Sequence, residues 1–262
     1  MLGAIAGDII GSRFERHNIK STDFELFTSQ SRFTDDSVMT LAIAHALLDC
    51  EADPLRAEGA AVRSMRLFGQ AWPHAGYGAR FRQWLASDDP QPCGSYGNGA
   101  AMRVSPCAWA AKTLETALEL ARRVTRVTHG HPESIRAAEA VTSAIWLARH
   151  GASPAEVGRH LKQNYYKLDF TLDEIRPCYR FDVSCQGSVP QALEAFLEAD
   201  SFERAVRLAI SIGGDSDTIA AIAGSVAEAA YGIPDALQEE VLDRLERRQI
   251  RVLEAFRKVF HA

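Results

Sequence analysis

The chain has 262 residues, of which 47% are hydrophobic and 24% charged, and these proportions are typical of a soluble globular protein with a large core. Its 29 basic and 34 acidic residues give a net charge of -5, which argues against nonspecific binding along nucleic acid. The longest uncharged apolar stretch, Ser37–Leu48, is shorter than the roughly 20 residues of a membrane span, so we expect no membrane insertion.

The N-terminal segment and the cysteines both indicate a cytoplasmic protein. The first residues have no basic flank, and Asp8 interrupts their apolar run, which excludes a secretory signal. Five cysteines are odd in number and lack the spacing of a disulfide framework or a zinc site. We therefore expect reduced thiols that pack in the core.

Helical signals follow one another along most of the chain. Ser37–Leu48 is apolar nearly all round, which predicts a buried helix. Pro132 and Glu133 are helix-start signals for the segment that ends at Arg149. The other predicted helices are Pro54–Gln70, Thr113–Val127, Pro154–Gln163, Val189–Glu198, Phe202–Ile212, Ser216–Tyr231 and Pro234–Phe260, the last in one or two pieces.

Strand signals are poor by comparison. Ile19–Phe27 and Tyr179–Cys185 are compatible with extended structure, but neither has a partner pattern nearby. The sequence also has no internal repeat and no Pro/Ser-rich linker. We therefore predict a single compact all-α domain over residues 1–262.

Four loops rich in glycine and polar residues lie between the apolar segments, and loops of this kind often carry function. They are Gly11–Asn18, Phe33–Ser37, Gly94–Arg103 and Gly213–Thr218. In Gly94–Arg103, the glycines leave backbone N–H groups accessible to phosphate oxygens, although a plain turn between helices also explains them.

Two of these loops place a pair of carboxylates and a hydroxyl directly before a buried helix. These clusters are Thr34–Asp36 and Asp215–Thr218. Asp, Ser and Thr are preferred helix caps, so capping explains either cluster taken alone. A cap needs only one acid, however, and surplus carboxylates at the ends of buried helices are costly unless a cation neutralises them.

The donor set favours hard divalent ions. Carboxylate and hydroxyl oxygens suit Mg²⁺, Mn²⁺ or Ca²⁺ rather than zinc or copper. Four carboxylates exceed what one Mg²⁺ usually takes, so two ions fit the set better, and such a site can polarise hydroxyls and activate water. Gly213 and Gly214 let the backbone approach a ligand closely.

The ordered set of motifs resembles the ADP-ribosylglycohydrolase family, all-helical hydrolases that remove ADP-ribose from modified proteins and small molecules. The resemblance covers nearly the whole chain. It rests on Gly3–Asp8, Gly11–Glu15, Phe33–Asp36, Gly94–Gly99 with Met102 and Arg103, Thr128 with His129, and Gly213–Thr218. Any one of these motifs is weak evidence, but the ordered set with both acidic clusters is highly specific.

The resemblance implies a dinuclear Mg²⁺ or Mn²⁺ site at helix N-termini, with Thr34, Asp35, Asp36, Asp215, Asp217 and Thr218 as ligands. It implies catalytic roles for Glu15, Asp35 and Asp36. The expected ADP-ribose contacts are Gly94, Ser95, Tyr96, Gly97, Asn98 and His129, together with Gly213 and Gly214. We expect Asp8 to serve helix packing and Arg103 to be exposed or ion-paired, with phosphate binding as the alternative role for Arg103.

The implied reaction is hydrolysis of the N- or O-glycosidic bond at the anomeric carbon of the distal ribose in an ADP-ribosylated protein or small molecule, releasing ADP-ribose. One of the three catalytic acids orients or deprotonates the water. The leaving group stays open among arginine, serine, acetyl and polymer linkages, and we expect Asn18–Gln30 and Tyr165–Gly187 to select it. Two alternatives are a non-catalytic ADP-ribose-binding relative and, more remotely, an Asp-x-Asp phosphatase.

Overall fold

The computed structural model describes residues 1–260, so His261 and Ala262, the end of the predicted domain, lie outside the described residues. Its helices are α1 (Leu2–Gly11), α2 (Asp35–Asp49), α3 (Pro54–Ala71), α4 (Ala79–Ala86), α5 (Ser105–Ala110), α6 (Leu114–Arg126), α7 (Pro132–Arg149), α8 (Pro154–Asn164), α9 (Leu172–Ile175), α10 (Cys185–Leu197), α11 (Phe202–Ser211), α12 (Ser216–Tyr231), α13 (Asp235–Leu242) and α14 (Arg247–Phe260). A 3-10 turn spans Asn98–Ala100. Within residues 1–260 the only β pairing is an isolated antiparallel bridge between Gly97 and Ser184.

The all-α prediction is confirmed. Pro234–Phe260 forms two helices, α13 and α14, which is one of the two forms predicted for it. Helix α10 begins at Cys185, four residues before the predicted start, because the Ser184 hydroxyl caps it by accepting from the Gly187 N–H at 3.1 Å. The extended segment expected before it makes only the bridge at Ser184.

Helix α1 has no amphipathic stripe, because it is buried on every side. No side chain next to it in sequence caps its N-terminus. Instead, the Glu228 carboxylate of α12 accepts hydrogen bonds from the backbone N–H groups of Leu2, at 3.1 Å, and Gly3, at 2.8 Å. The cap is therefore a tertiary contact that the local sequence does not display.

Glycines bring α1 against α12 at backbone contact. A Cβ built on Gly7 would lie 2.0 Å from the carbonyl oxygen of Ala220, and one built on Gly11 would lie 2.6 Å from the Cα of Asp217. Any side chain at either position would push the helices apart. This close approach sets Asp8 of α1 beside the N-terminus of α12.

The described cysteines are free thiols, as expected, but only Cys50, Cys107 and Cys185 are buried. Core packing is therefore the wrong prediction for Cys93 and Cys178, which lie on exposed loops. None of the helices described is both long and apolar enough to span a bilayer.

Candidate active site

A cavity of about 1070 Å³ opens where the N-termini of α2 and α12 meet. This volume is at the upper end of the range for small-molecule sites. The predicted site residues that line it are Glu15, Thr34, Asp35, Asp36, Ser95, Gly97, Asn98, His129, Asp215, Asp217 and Thr218. Gly94, Tyr96, Gly213 and Gly214 lie next to these residues in the chain but do not line the cavity wall.

Asp8 organises the first acidic cluster, although we expected it to serve packing alone. Its buried carboxylate accepts hydrogen bonds from the backbone N–H groups of Thr34, at 2.8 Å, and Ser37, at 3.0 Å. It also accepts from both hydroxyls, at 2.6 Å in the case of Thr34 Oγ1. Asp8 thus caps α2 from a neighbouring helix and orients Thr34. The Thr34 hydroxyl oxygen also accepts from the Asp36 N–H at 3.4 Å, which leaves one lone pair for another partner.

The two predicted acidic clusters meet in the structure. The Thr218 hydroxyl donates to Asp36 Oδ2 at 3.1 Å, which joins the N-termini of α2 and α12. Carboxylate oxygens of Asp8, Asp36 and Asp217 all lie within 4.8 Å of one another. Asn98 Nδ2 donates to Asp215 Oδ2 at 2.6 Å, so the glycine-rich loop holds the remaining acid of the second cluster.

These acids resist ionisation in the protein alone. Burial, followed by the charges of neighbouring carboxylates, raises the pKa of Asp35 to about 7. Burial and the Glu15 charge raise the pKa of Asp215 to about 6, against the hydrogen bond from Asn98. Burial and neighbouring acids also hold the pKa values of Asp36 and Asp217 well above their usual range.

The cluster has the chemistry of a metal site. Asp36 Oδ1 is buried and has no hydrogen-bond partner, which is costly for a carboxylate oxygen unless a cation approaches it. A divalent cation removes the repulsion that raises these pKa values, and oxygen donors are those that Mg²⁺, Mn²⁺ and Ca²⁺ prefer. The residues present therefore fit a metal ion.

Asn18 ties the loop that carries Glu15 to the turn before Asp215. Its Nδ2 donates to the carbonyl oxygens of Glu15, at 3.0 Å, and Gly214, at 2.9 Å, while its Oδ1 accepts from the Gly214 N–H at 2.8 Å. Gly214 has a φ of +79°, and a Cβ there would meet the ring of Tyr179 at 2.4 Å. The turn is thus held between Asn18 and Tyr179, a contact that our sequence reasoning missed.

Hydrogen bonds to other segments and within the loop fix the conformation of the glycine-rich loop. The Asn98 N–H donates to the Val183 carbonyl oxygen, and the Cys185 N–H donates to the Tyr96 carbonyl oxygen, each at 2.8 Å. Ser95 Oγ accepts from the Gly97 N–H at 3.1 Å. The Tyr96 side chain is half-exposed outside the cavity, where it meets His131 edge-on.

Arg103 differs from expectation, since it is neither exposed nor ion-paired. Only 1% of it is exposed, and it lines the cavity beside His129. Within residues 1–260, none of the ion pairs includes it. Sequence reasoning favours a carboxylate partner for a buried arginine, and only the tertiary structure reveals that this one has none.

A large part of the cavity wall comes from residues 71–84 rather than from the loops we expected to select the leaving group. Gly76 lies against the Asp35 carboxylate, and a Cβ built there would be 2.9 Å from Oδ1. Trp72, His74 and Phe81 line the same wall. Residues 18–30 contribute nothing to the cavity lining, and residues 165–187 contribute only Phe181 and Val183.

Fold and cavity together define an all-helical protein with a buried acidic site of the kind that hydrolases use. The family model for ADP-ribosylglycohydrolase matches residues 1–261, so the chain belongs to the ADP-ribosylglycohydrolase family. It is therefore a hydrolase of glycosidic bonds that acts on ADP-ribosyl groups. The Asp-x-Asp phosphatase alternative is not supported, because Asp215 follows helix α11 and not a strand.

Individual relatives agree with this assignment. The chain is 26% identical to mouse ADP-ribosylhydrolase ARH3, over 91% of this chain and 85% of that protein. It is 27% identical to the human ARH3 protein, over 91% of this chain and 87% of the relative. A solved structure described as an ADP-ribosylglycohydrolase-related protein complex superposes with a TM-score of 0.73 and 26% identity, covering 99% of this chain and 95% of that one.

Proposed function

We propose that the chain is a divalent-metal-dependent hydrolase that cleaves the glycosidic bond at the anomeric carbon of the distal ribose, releasing ADP-ribose from a modified protein or small molecule. The observation that carries the proposal is the juxtaposition of Asp8, Asp36 and Asp217, because Asp36 and Asp217 line a cavity that the glycine-rich loop also lines. The acids suit metal ions and positive charge, while the loop suits phosphate oxygens.

The proposed ligands of two Mg²⁺ or Mn²⁺ ions are Thr34, Asp35, Asp36, Asp215, Asp217 and Thr218. When bound, such ions supply Lewis acidity to ribose hydroxyls and water. Asp8 orients Thr34, and Asn98 orients Asp215. These contacts hold the ligand oxygens in place before any ion arrives, which reduces the entropy lost on binding.

The half-buried Glu15 and Asp35 are the acids best placed to accept a proton from the attacking water, because both line the cavity and Asp36 already accepts from Thr218. Carboxylates beside the ribose also stabilise the positive charge that develops at the anomeric carbon. We place the diphosphate against the loop Gly94–Asn98 and on His129, with Gly213 and Gly214 allowing close approach. The N–H groups of Gly97 and Asn98 are already paired within the protein, so the donors that this loop offers are its other N–H groups.

The test is release of free ADP-ribose from four substrates: an ADP-ribosylarginine protein, an ADP-ribosylserine peptide, O-acetyl-ADP-ribose and poly(ADP-ribose). Each is incubated with Mg²⁺, with Mn²⁺ and with EDTA. We expect metal-dependent release that Asp217→Asn abolishes and Asp235→Asn leaves unchanged, since Asp235 is an exposed acid in the first turn of α13. Equal release with EDTA contradicts the metal assignment, and ADP-ribose binding without release from any substrate favours the non-catalytic alternative.

A further inference from the structure

Arg103 is a buried cation for which the described chain provides no counter-ion. Burial lowers the pKa of its guanidinium to about 10, so it stays charged at neutral pH. Its Nε is buried without a hydrogen-bond partner. Its Nη2 donates to Thr128 Oγ1 and points at His129 Nδ1 from 3.5 Å. Keeping an unpaired charge in this position is costly, which indicates that it serves the site rather than the fold.

The contacts of His129 Nδ1 determine which ring nitrogen carries the proton. A guanidinium has only donors, so Nδ1 must accept from Arg103. The Thr128 hydroxyl already accepts from Arg103, and its own proton has two acceptors in reach, Nδ1 at 2.6 Å and the Thr125 carbonyl oxygen at 3.3 Å. The much shorter distance directs that proton to Nδ1. A proton on Nδ1 would face the N–H of Arg103. The proton of a neutral His129 therefore resides on Nε2.

Nε2 faces the glycine-rich loop and the cavity. A Cβ built on Gly97 would lie 3.7 Å from Nε2, and one built on Gly99 would lie 3.6 Å from it. His129 and both glycines line the cavity. Burial and the Arg103 charge lower the pKa of His129 to about 3, so the ring stays neutral through the physiological range.

We propose that Arg103 is a positioning residue that, together with Thr128, fixes His129 as a neutral Nε2–H donor aimed at a phosphate oxygen of the ligand. The identity of that ligand rests on the proposed function, whereas the state of His129 does not. His129 then binds without exchanging a proton during turnover. The charged and titratable groups around the pair are Asp35 of α2, Cys107 of α5 and Cys93 beside Thr128, and all three act on the Arg103 charge.

The first experiment reads the state of His129 by ¹⁵N NMR of the metal-free, ligand-free protein between pH 5.5 and 8. We expect the Nε2–H form throughout in the unmodified chain and in Arg103→Lys, which retains a cation. In Arg103→Met the ring should stay neutral over most of this range, because burial still lowers its pKa, but the Nδ1–H form should become populated, since no N–H of residue 103 then faces Nδ1. An Nδ1–H form or a titrating His129 in the unmodified chain, or no change of tautomer in Arg103→Met, overturns the proposal.

The second experiment measures the Kd of ADP-ribose by calorimetry at pH 5.5 and pH 8 in two pairs of proteins. One pair is the unmodified chain and His129→Gln, and the other is Arg103→Met with and without His129→Gln. Glutamine keeps an N–H donor but cannot titrate, so each ratio of Kd values cancels the pH dependence of the acids.

We expect both ratios to be independent of pH, because burial keeps His129 neutral in both backgrounds. The advantage of histidine over glutamine should be severalfold smaller in the Arg103→Met pair, because Nδ1 then no longer faces a donor that excludes the Nδ1–H form. Equal advantages in the two pairs overturn the proposal. If no variant binds ADP-ribose, the proposed function fails, and the NMR result still decides the role of Arg103.

Discussion

The affinity for divalent ions should rise steeply with pH, because the carboxyl groups of the site must lose their protons before they can bind a metal ion. In the protein alone, the pKa of Asp35 is raised to about 7 and that of Asp215 to about 6, first by burial and then by other charges. Metal ions compete with these protons. The same sign holds for Asp36 and Asp217, whose pKa values are also raised.

The expected size of this pH effect follows from the pKa values of Asp35 and Asp215. With a pKa of about 7, Asp35 is ionised in about one molecule in eleven at pH 6 and in about ten in eleven at pH 8, which is about a tenfold difference. With a pKa of about 6, Asp215 contributes about a further factor of two. The apparent affinity for the metal ion should therefore increase at least about 20-fold from pH 6 to pH 8, because the deprotonation of Asp36 and Asp217 adds to the effect of Asp35 and Asp215.

The assay is calorimetric titration with Mn²⁺ at pH 6 and pH 8 and constant ionic strength, repeated in buffers of different ionisation enthalpy to count released protons. Glu194→Gln is the matched control, because burial also raises the pKa of Glu194 to about 7 but this residue does not line the cavity. It should leave the pH effect unchanged. Affinities equal within twofold at the two pH values, or binding without proton release, would refute the reasoning.

Three further outcomes follow from the same contacts. Gly7→Ala forces a methyl group against the Ala220 carbonyl, so urea denaturation should show a free energy of unfolding that is lower by about 1–3 kcal/mol. Gly59→Ala is the control and should be neutral or stabilising, because only Arg63 Nη1 lies near the added methyl group, at 3.4 Å. Asn18→Ala should weaken Mn²⁺ binding several-fold, because the Gly214 turn loses the hydrogen bonds that hold it. Asn164→Ala on α8 is the control and should leave the affinity unchanged. If Asn18→Ala binds Mn²⁺ as tightly as the unmodified chain, the Asn18 contacts are incidental to the site. In EDTA the free energy of unfolding should fall as the pH rises from about 4 to 7, because carboxyl groups with raised pKa values in the folded state must lose their protons there. Mn²⁺ compensates the resulting negative charges, so the rise in Tm on adding Mn²⁺ should be larger at pH 8 than at pH 5.

Local signals were enough to predict most of the helices. Caps and start signals act within one turn of the chain, as at Pro132 or at Ser153, where the hydroxyl accepts from the Glu156 N–H and the Glu156 carboxylate accepts in return. The acidic clusters were readable for the same reason, because each lies within a few residues of a helix start. Their meeting in space was inferred from the donor chemistry of the two clusters and from the family resemblance, because no local pattern encodes it.

The residues that sequence reasoning placed wrongly depend on long-range packing. Asp8 reaches the acids only because α1 approaches α12 at backbone distance, and the four-residue spacing of Gly3, Gly7 and Gly11 is the signal that could have revealed it. Arg103 had no such signal. Its position in a glycine-rich loop favours exposure, and the absence of a carboxylate partner is a property of the whole fold.

The charge distribution in the cavity explains why the buried cation and the buried acids do not neutralise each other. Arg103 makes its hydrogen bonds to Thr128 and His129, and its charge is not paired with Asp35 even though the two groups influence one another. An ion pair would cancel both charges and leave a cavity without electrostatic preference. Kept apart, Arg103 and the acids give one part of the cavity that favours an anion and another that favours cations.

An ADP-ribosyl group at the point of cleavage has the same polarity, with a negative diphosphate at one end and positive charge developing on the ribose at the other. The cost of burying these charges unpaired is therefore the cost of preorganising the site for that transition state.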